Sequence, residues 1–101
     1  MTTKFFIGAD EWPGISKLIE ETGEVLQICG KLIAADGDVS KPHWDGQNLR
    51  ESLENELADL IAALHFVANN CPLDSNKITR RAEAKIALFA KWHEDQKVEG
   101  R

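Results

Sequence analysis

Cysteine is scarce in this chain and long hydrophobic runs are absent, and both features narrow the class of protein. The two cysteines, Cys29 and Cys71, lie in apolar helical patterns and form no CxxC motif. We therefore expect buried, reduced thiols rather than a disulfide or a thiolate metal site. No apolar stretch approaches the ~20 residues of a membrane-spanning helix, and the N-terminus does not resemble a secretory leader. These features predict a cytoplasmic protein with no membrane partner.

Positive charge is also scarce. Lys and Arg number 12 and Asp and Glu number 17 in 101 residues, so the formal net charge is -5 and the sequence pI is about 5.1. An acidic surface repels a polyanion, which argues against nucleic acid as the main partner. A negatively charged substrate would have to be reached through a metal ion.

Three amphipathic segments predict an all-α fold, an antiparallel bundle of three main helices in one domain over residues 1–101. Because so short a chain has a marginal core, we expect homo-oligomerisation to complete a four-helix-type bundle. Residues 1–10 are expected to form a strand, a docked arm or part of an interface, and residues 95–101 a polar, frayed tail. The first helix is expected to have Pro13 in its first turn, to be capped by Asp10 or Glu11 and to end near Ala35. The second is expected from about Asn48 to Asn70, and the third is expected to be capped by Asp74 or Ser75.

Apolar residues on the second and third helices alternate four and three apart, which is typical of packed seams in helix bundles. Lys85 occupies a seam position on the third helix, so its side chain either extends to solvent or meets negative charge. The expected seams are Leu53, Leu57, Leu60, Leu64, Val67 and Cys71 on the second helix, and Ile78, Ala82, Lys85, Phe89 and Trp92 on the third.

Acidic residues recur at helical spacing on two successive helices. Glu21 and Glu24 share one face of the first helix, and Glu56 and Asp59 share one face of the second. Either pair alone is typical of a solvated helix face. Antiparallel packing would bring both pairs into one cluster, which either raises the carboxylate pKa values or binds a hard cation such as Mg²⁺ or Mn²⁺. Gly23, between the first pair, serves either close helix packing or space beside the cluster.

The candidate substrate-binding residues are Lys31, Trp44, Arg81 and Lys85. Trp44 lies in the turn-rich segment 36–47, which is long for a helix connection, and its indole either stacks on a nucleobase or packs on the rim of the bundle. Arg81 lies one turn before Lys85, and two cations at the core edge of an acidic protein suit a phosphate chain.

The acidic motif resembles that of the MazG-like all-α nucleotide pyrophosphohydrolases. The sequence reads EExxE at Glu20-Glu21-Thr22-Gly23-Glu24 and ExxD at Glu56-Leu57-Ala58-Asp59. The resemblance covers about residues 12 to 95. The gap between the two motifs is somewhat longer than is usual in the family, and the excess falls in the loop that carries Trp44.

The resemblance implies hydrolysis of nucleoside triphosphates between the α and β phosphates, giving a monophosphate and pyrophosphate. It implies that Glu21, Glu24, Glu56 and Asp59 are Mg²⁺ ligands, with Mn²⁺ as a substitute. Glu20 would join a second metal ion or orient water, so all five acidic residues would be catalytic. Arg81 and Lys85 would contact phosphate, and the protein would form a homodimer or a dimer of dimers.

Three alternatives stay open at this point. A di-iron bundle would also use helical carboxylates, but it needs Glu-x-x-His on two helices, which neither motif supplies. A non-catalytic helical interaction module would leave the acidic residues solvated. A nucleotide sensor would bind the same ligand without turnover.

Overall fold

The computed structural model describes residues 4–97, and within them the chain forms three helices and no strand. They are α1 (Ile15–Ala34), α2 (Leu49–Asn70) and α3 (Ser75–Gln96), which confirms the all-α prediction. The predicted boundaries of α2 and α3 agree with the structure within one residue. The remaining parts of the predicted arm and tail, residues 1–3 and 98–101, lie outside the described residues.

Asparagine and aspartate set the starts of α2 and α3. Asn48 Oδ1 accepts a hydrogen bond of 3.0 Å from the backbone N–H of Glu51, and Asp74 Oδ1 accepts one of 3.0 Å from that of Lys77. Each bond satisfies a backbone donor that the helix itself leaves unpaired. The two connections therefore end at the positions that their side-chain chemistry indicates.

The predicted start of α1 was wrong. Gly14, rather than Asp10 or Glu11, is the N-cap, and it adopts a left-handed conformation with φ of 87°. A Cβ atom there would lie 2.6 Å from Cδ1 of Phe66, so glycine is required both by conformation and by the close approach of α2. Pro13 lies outside the helix.

The part of the N-terminal arm that the structure describes docks on the start of α1 through turns. The backbone N–H of Ser16 donates to the carbonyl of Phe5 at 3.0 Å, and that of Gly14 donates to the carbonyl of Phe6 at 3.2 Å. These bonds satisfy N–H groups at the helix start. The arm thereby lies beside the end of α2, close to Phe66.

Helices α1 and α2 pack antiparallel. The Cys71 thiol at the end of α2 donates to the carbonyl of Pro13, before α1, at 3.3 Å, while Lys31 near the end of α1 bonds to Gln47, just before α2. Neither cysteine is in a disulfide; Cys71 is buried as predicted, whereas Cys29 is only half-buried. The buried hydrophobic core of the described residues is small and consists of Ile28, Leu49, Ala63, Val67 and Cys71.

Helix α3 packs against α2 only, and no Cα atom of α3 lies within 8 Å of α1 between these two described helices. The predicted apolar seams are consequently only partly buried within one chain, with Leu57, Leu64, Phe89 and Trp92 all exposed. The radius of gyration is 17.2 Å, against about 13 Å for a compact domain of this length. None of the described helices is both long and apolar enough to span a bilayer.

Candidate metal centre

Four carboxylates converge where α1 and α2 face each other. Glu21 and Glu24 come from α1 and Glu56 and Asp59 from α2, and one ligand atom from each lies within 4.8 Å of the others. The first three side chains are half-buried and Asp59 is exposed. The antiparallel packing of α1 and α2 thus brings together the two acidic pairs that the sequence places on separate helices.

This carboxylate cluster contains buried oxygens that lack partners. Glu21 Oε2 and Glu56 Oε2 are inaccessible to solvent and have no hydrogen-bond partner in the described part of the chain. A buried, unpartnered carboxylate oxygen is costly unless a proton or a cation reaches it. A proton or a bound cation would therefore stabilise the cluster by reaching these two oxygens.

The pKa values of two of the clustered carboxyl groups also favour a bound cation. Desolvation, followed by the negative charges of Glu24 and Asp59, raises the pKa of Glu21 above its ordinary value. A hydrogen bond shared with Glu24, followed by desolvation, raises the pKa of Glu56. Both shifts mean that the ionised forms are destabilised by their surroundings. A divalent cation would reverse this, because its charge favours ionised ligands.

The donor set suits a hard cation. All four ligands are carboxylates, and oxygen-only coordination is preferred by Mg²⁺, Mn²⁺ and Ca²⁺ rather than by Zn²⁺ or copper. Carboxylates on two rigid helices can hold such an ion between them, and the half-buried setting limits competition from water. The donor chemistry alone does not single out Mg²⁺ among the hard cations.

Glu20, the first glutamate of the EExxE motif, is not part of the convergent group. It is exposed, and its Oε2 accepts a hydrogen bond from Lys17 Nζ at 3.1 Å. This contact is the main reason that the pKa of Lys17 is raised. Glu20 therefore lies at the edge of the cluster on the same helix, and its catalytic role stays a prediction.

A cavity of about 310 Å³ opens beside the cluster between α1, α2 and the N-terminal arm. Its lining combines Glu21 and Asp59 with Lys17 and with the apolar side chains of Ile7 and Phe66. The sequence analysis did not identify Lys17 or Ile7 as site residues. Lys17 carried a signal, since it lies one turn before Glu21 on the same face. Ile7 carried none, because the docking of the arm depends on tertiary contacts.

The loop residues lie toward the other end of the α1–α2 pair. Lys31 Nζ donates to Asp45 Oδ2 at 2.9 Å and to Gln47 Oε1 at 2.8 Å, and the Lys31 contact lowers the pKa of Asp45. Lys31 thus anchors the loop to α1. It lies two helical turns from Glu24, roughly 10 Å along the axis.

Trp44 projects from this loop into solvent. Its side chain is 89% exposed, and its ring contacts that of His43 at a centroid distance of 5.5 Å. Of the two roles expected for Trp44, packing on the rim of the bundle is not seen within the described chain. An exposed indole face remains available for stacking.

Arg81 and Lys85 lie on α3, away from the cluster. Neither forms an ion pair or a side-chain hydrogen bond within residues 4–97. Because α3 does not approach α1, one chain does not bring these two cations to the carboxylates. Their role as phosphate contacts stays a prediction.

The comparisons with known proteins find no relative: no protein-family model, no curated protein and no solved structure matches this chain. The resemblance to the MazG-like enzymes therefore depends on the spacing of the acidic motif alone.

Proposed function

We propose that this protein is a Mg²⁺-dependent nucleotide pyrophosphohydrolase, with Mn²⁺ as a substitute metal. The observation that carries the proposal is the convergence of Glu21, Glu24, Glu56 and Asp59 within 4.8 Å, with two buried oxygens left unpartnered. A stabilising role for these residues is disfavoured, because the ionised carboxylates repel one another. A cation-dependent site explains why four acidic side chains share this position.

The proposed reaction is metal-assisted attack of water on a nucleoside triphosphate. The water oxygen bonds to the α-phosphorus, the bond from that phosphorus to the oxygen bridging to the β-phosphate breaks, and pyrophosphate leaves with the bonding electrons. The water proton passes to a carboxylate, for which Glu20 at the cluster edge is a candidate. Metal bound at the cluster supplies charge neutralisation for the phosphates and a lowered pKa for water.

The residues of the chain have distinct parts in this proposal. The four clustered carboxylates hold the metal from two helices, so the distance between its ligands is fixed by helix packing. Lys17 lines the cavity beside Glu21 and Asp59, and in this proposal its ammonium group would contact a phosphate oxygen. Trp44 presents an exposed ring on which the base would stack. The loop that carries Trp44 lies toward the end of the α1–α2 pair away from the N-terminal arm, at a distance from the carboxylate cluster.

We also propose that the protein acts in the cytoplasm as a homodimer or a dimer of dimers. Arg81 and Lys85 are separated from the cluster within one chain, so they would reach the phosphates only if a second copy supplied them. This arrangement would assign the metal to one chain and part of the phosphate contacts to another.

The experiment that tests the function is pyrophosphate release from a panel of ribo- and deoxyribonucleoside triphosphates, with Mg²⁺ and with EDTA. Reaction in ¹⁸O-labelled water then locates the bond that breaks. The proposal expects the label in the monophosphate and none in pyrophosphate. Label in inorganic phosphate, from attack at the γ-phosphorus, would contradict the proposed reaction.

A nucleotide sensor without turnover is the second candidate, since it would use the same metal cluster. Nucleotide-dependent thermal stabilisation in Mg²⁺, without pyrophosphate release from any nucleotide of the panel, would favour the sensor. A pure helical interaction module is less well supported, because it leaves the buried unpartnered oxygens of Glu21 and Glu56 unexplained.

A further inference from the structure

Helix α1 has one face without any charged residue. Its five charged side chains, Lys17, Glu20, Glu21, Glu24 and Lys31, fall within roughly a third of the helix circumference at 3.6 residues per turn. The opposite face carries apolar residues, glycines and Thr22, whose hydroxyl already donates to the carbonyl of Leu18 at 2.7 Å. A helix that is apolar around most of its circumference is normally covered on both sides.

This charge-free face of α1 is uncovered. Ile19, Leu26 and Ile33, which are seven residues apart, are 69%, 66% and 80% exposed. Gly23 and Gly30 lie between them, and a Cβ atom at either glycine would meet nothing within 4 Å. The glycines therefore serve neither packing nor the metal cluster within the chain, although each makes the helix less stable than alanine would.

The exposed surface continues onto α2 and α3. In an antiparallel pair of right-handed helices, the residue after each core position turns to the same side on both helices. Leu64, which follows buried Ala63, therefore lies on the same side as Cys29, which follows buried Ile28. Leu64 and Ile61 line a groove of about 700 Å³ between α2 and α3, together with Ile86 of α3.

The charge-free face of α1 and the groove between α2 and α3 are both open, since α3 does not approach α1. Each of their exposed apolar side chains presents on the order of 100 Å²; these side chains are Ile19, Leu26, Ile33, Ile61, Leu64 and Ile86. Their combined area reaches the upper end of the roughly 300–600 Å² patch of a typical monomer and approaches the ~800 Å² per partner of a standard interface.

The residue pattern on α1 indicates what covers this surface. Large and small residues alternate in the order Ile19, Gly23, Leu26, Gly30, Ile33 at spacings of four and three. Two such helices placed antiparallel about a two-fold axis can put Ile19 opposite Gly30 and Leu26 opposite Gly23, while Ile33 falls opposite the small side chain of Ser16. An interface that is complementary to itself is the requirement for an isologous dimer, and glycine opposite leucine lets helices approach closely.

We propose that the charge-free face of α1 is the contact surface for a second copy of this chain. The two α1 helices pack antiparallel, so that Ile19 and Leu26 of one copy lie over Gly30 and Gly23 of the second copy. The exposed residues of α2 and α3 flank this contact. This contact rests on the homodimer proposed above and gives it a surface. Because it lies on the face of α1 opposite the carboxylate cluster, delivery of Arg81 and Lys85 from another copy to the phosphates would need a further interface, as in a dimer of dimers.

Sedimentation equilibrium in EDTA tests the proposal without metal or nucleotide. The wild-type protein is expected at no less than twice the chain mass of 11.3 kDa at micromolar concentration. Leu26→Lys should raise the dissociation constant at least about 100-fold, because it places a charge at the contact. Gln27→Lys is the matched control, since it places the same charge at the adjacent, exposed position. It should change the dissociation constant of the dimer less than about threefold.

A second variant covers the case in which Leu26→Lys does not fold. Gly23→Gln with Gly30→Gln fills space that is open within the chain and improves helix propensity, so the helix content by circular dichroism should be equal or higher. Association should weaken at least about tenfold. A wild-type protein that sediments as a monomer throughout, or glycine variants that associate like the wild type, would overturn the proposal.

Discussion

Glu24 of α1 and Glu56 of α2 face each other closely enough to share a hydrogen bond, and this contact is the largest cause of the raised pKa of Glu56. Carboxyl groups this close favour the protonated form of Glu56, whereas a bound cation would favour its ionised form. The pair therefore marks the point at which metal binding and protonation compete.

Divalent metal should stabilise the folded protein. A ligand that binds only the folded state stabilises it by about 2.7 kcal/mol when its concentration is 100 times the dissociation constant. Adding Mg²⁺ or Mn²⁺ should therefore raise the melting temperature, and EDTA should reverse the rise. Glu24→Gln and Asp59→Asn should abolish the response and make the metal-free protein more stable, because each removes a repelling charge. Glu54→Gln, an exposed position of α2 outside the cluster, should behave like wild type.

The metal-free protein should become more stable as the pH falls from neutrality towards 4.5, the ordinary value for these side chains. Since the pKa values of Glu21 and Glu56 are raised in the folded state, the folded chain binds protons in this window before the unfolded chain does. Stability then rises with falling pH. Urea denaturation in EDTA between pH 7 and pH 5 measures this directly.

The double variant Glu21→Gln, Glu56→Gln provides the control for this pH dependence. It removes the two groups with raised pKa and should lose the corresponding gain in stability at low pH. Identical pH dependence in the wild type and the double variant would show that the cluster is not the source. In Mg²⁺ the trend should reverse, because protons displace the metal.

Trp44 should contribute to nucleotide binding rather than to turnover. If the exposed indole stacks on the base, Trp44→Ala removes roughly 1–3 kcal/mol of binding and should raise KM about 5- to 150-fold, with kcat changed little. Trp44→Phe keeps an aromatic face and should retain most of the affinity. Steady-state kinetics on the preferred nucleotide makes the comparison, and an unchanged KM for Trp44→Ala would exclude stacking.

Gly14 should be among the least replaceable glycines of the fold. Gly14→Ala places a Cβ atom 2.6 Å from the Phe66 ring in a left-handed conformation, which should cost about 3 kcal/mol of unfolding free energy. Gly37→Ala is the matched control, because Gly37 is also left-handed but has nothing within 4 Å of the added atom. It should cost only about 1 kcal/mol. Equal losses for the two variants in urea denaturation would contradict the close packing of Phe66 on Gly14.

Helix type and most boundaries were predictable because their signals are local. Asn48 and Asp74 begin α2 and α3 through hydrogen bonds to a backbone N–H three residues on, and such caps are visible in sequence. The start of α1 was not predictable in this way. Pro13 suits a helix start on local grounds, but the packing of Phe66 against Gly14 moves the first turn to Ile15.

The convergence of Glu21, Glu24, Glu56 and Asp59 followed from helical spacing and an antiparallel pair. What the sequence left open was which side of each helix is covered. The alternating pattern predicts one buried seam, and its members Val67 and Cys71 are buried. Leu57 and Leu64 of the same seam are exposed, while Ala63, which the pattern did not include, is buried. Periodicity identifies an apolar face, but the packing partner of that face is set by tertiary or quaternary contacts.

Catalysis at the carboxylate cluster is tested by comparing pyrophosphate release by wild-type protein, Glu24→Gln and Glu54→Gln on the same nucleotide panel in Mg²⁺. We expect metal-dependent release by wild type and Glu54→Gln, and a rate at least about 100-fold lower for Glu24→Gln, because a metal ligand is lost. Wild-type activity in Glu24→Gln, or equal release in EDTA, would show that the carboxylate cluster is not the catalytic centre.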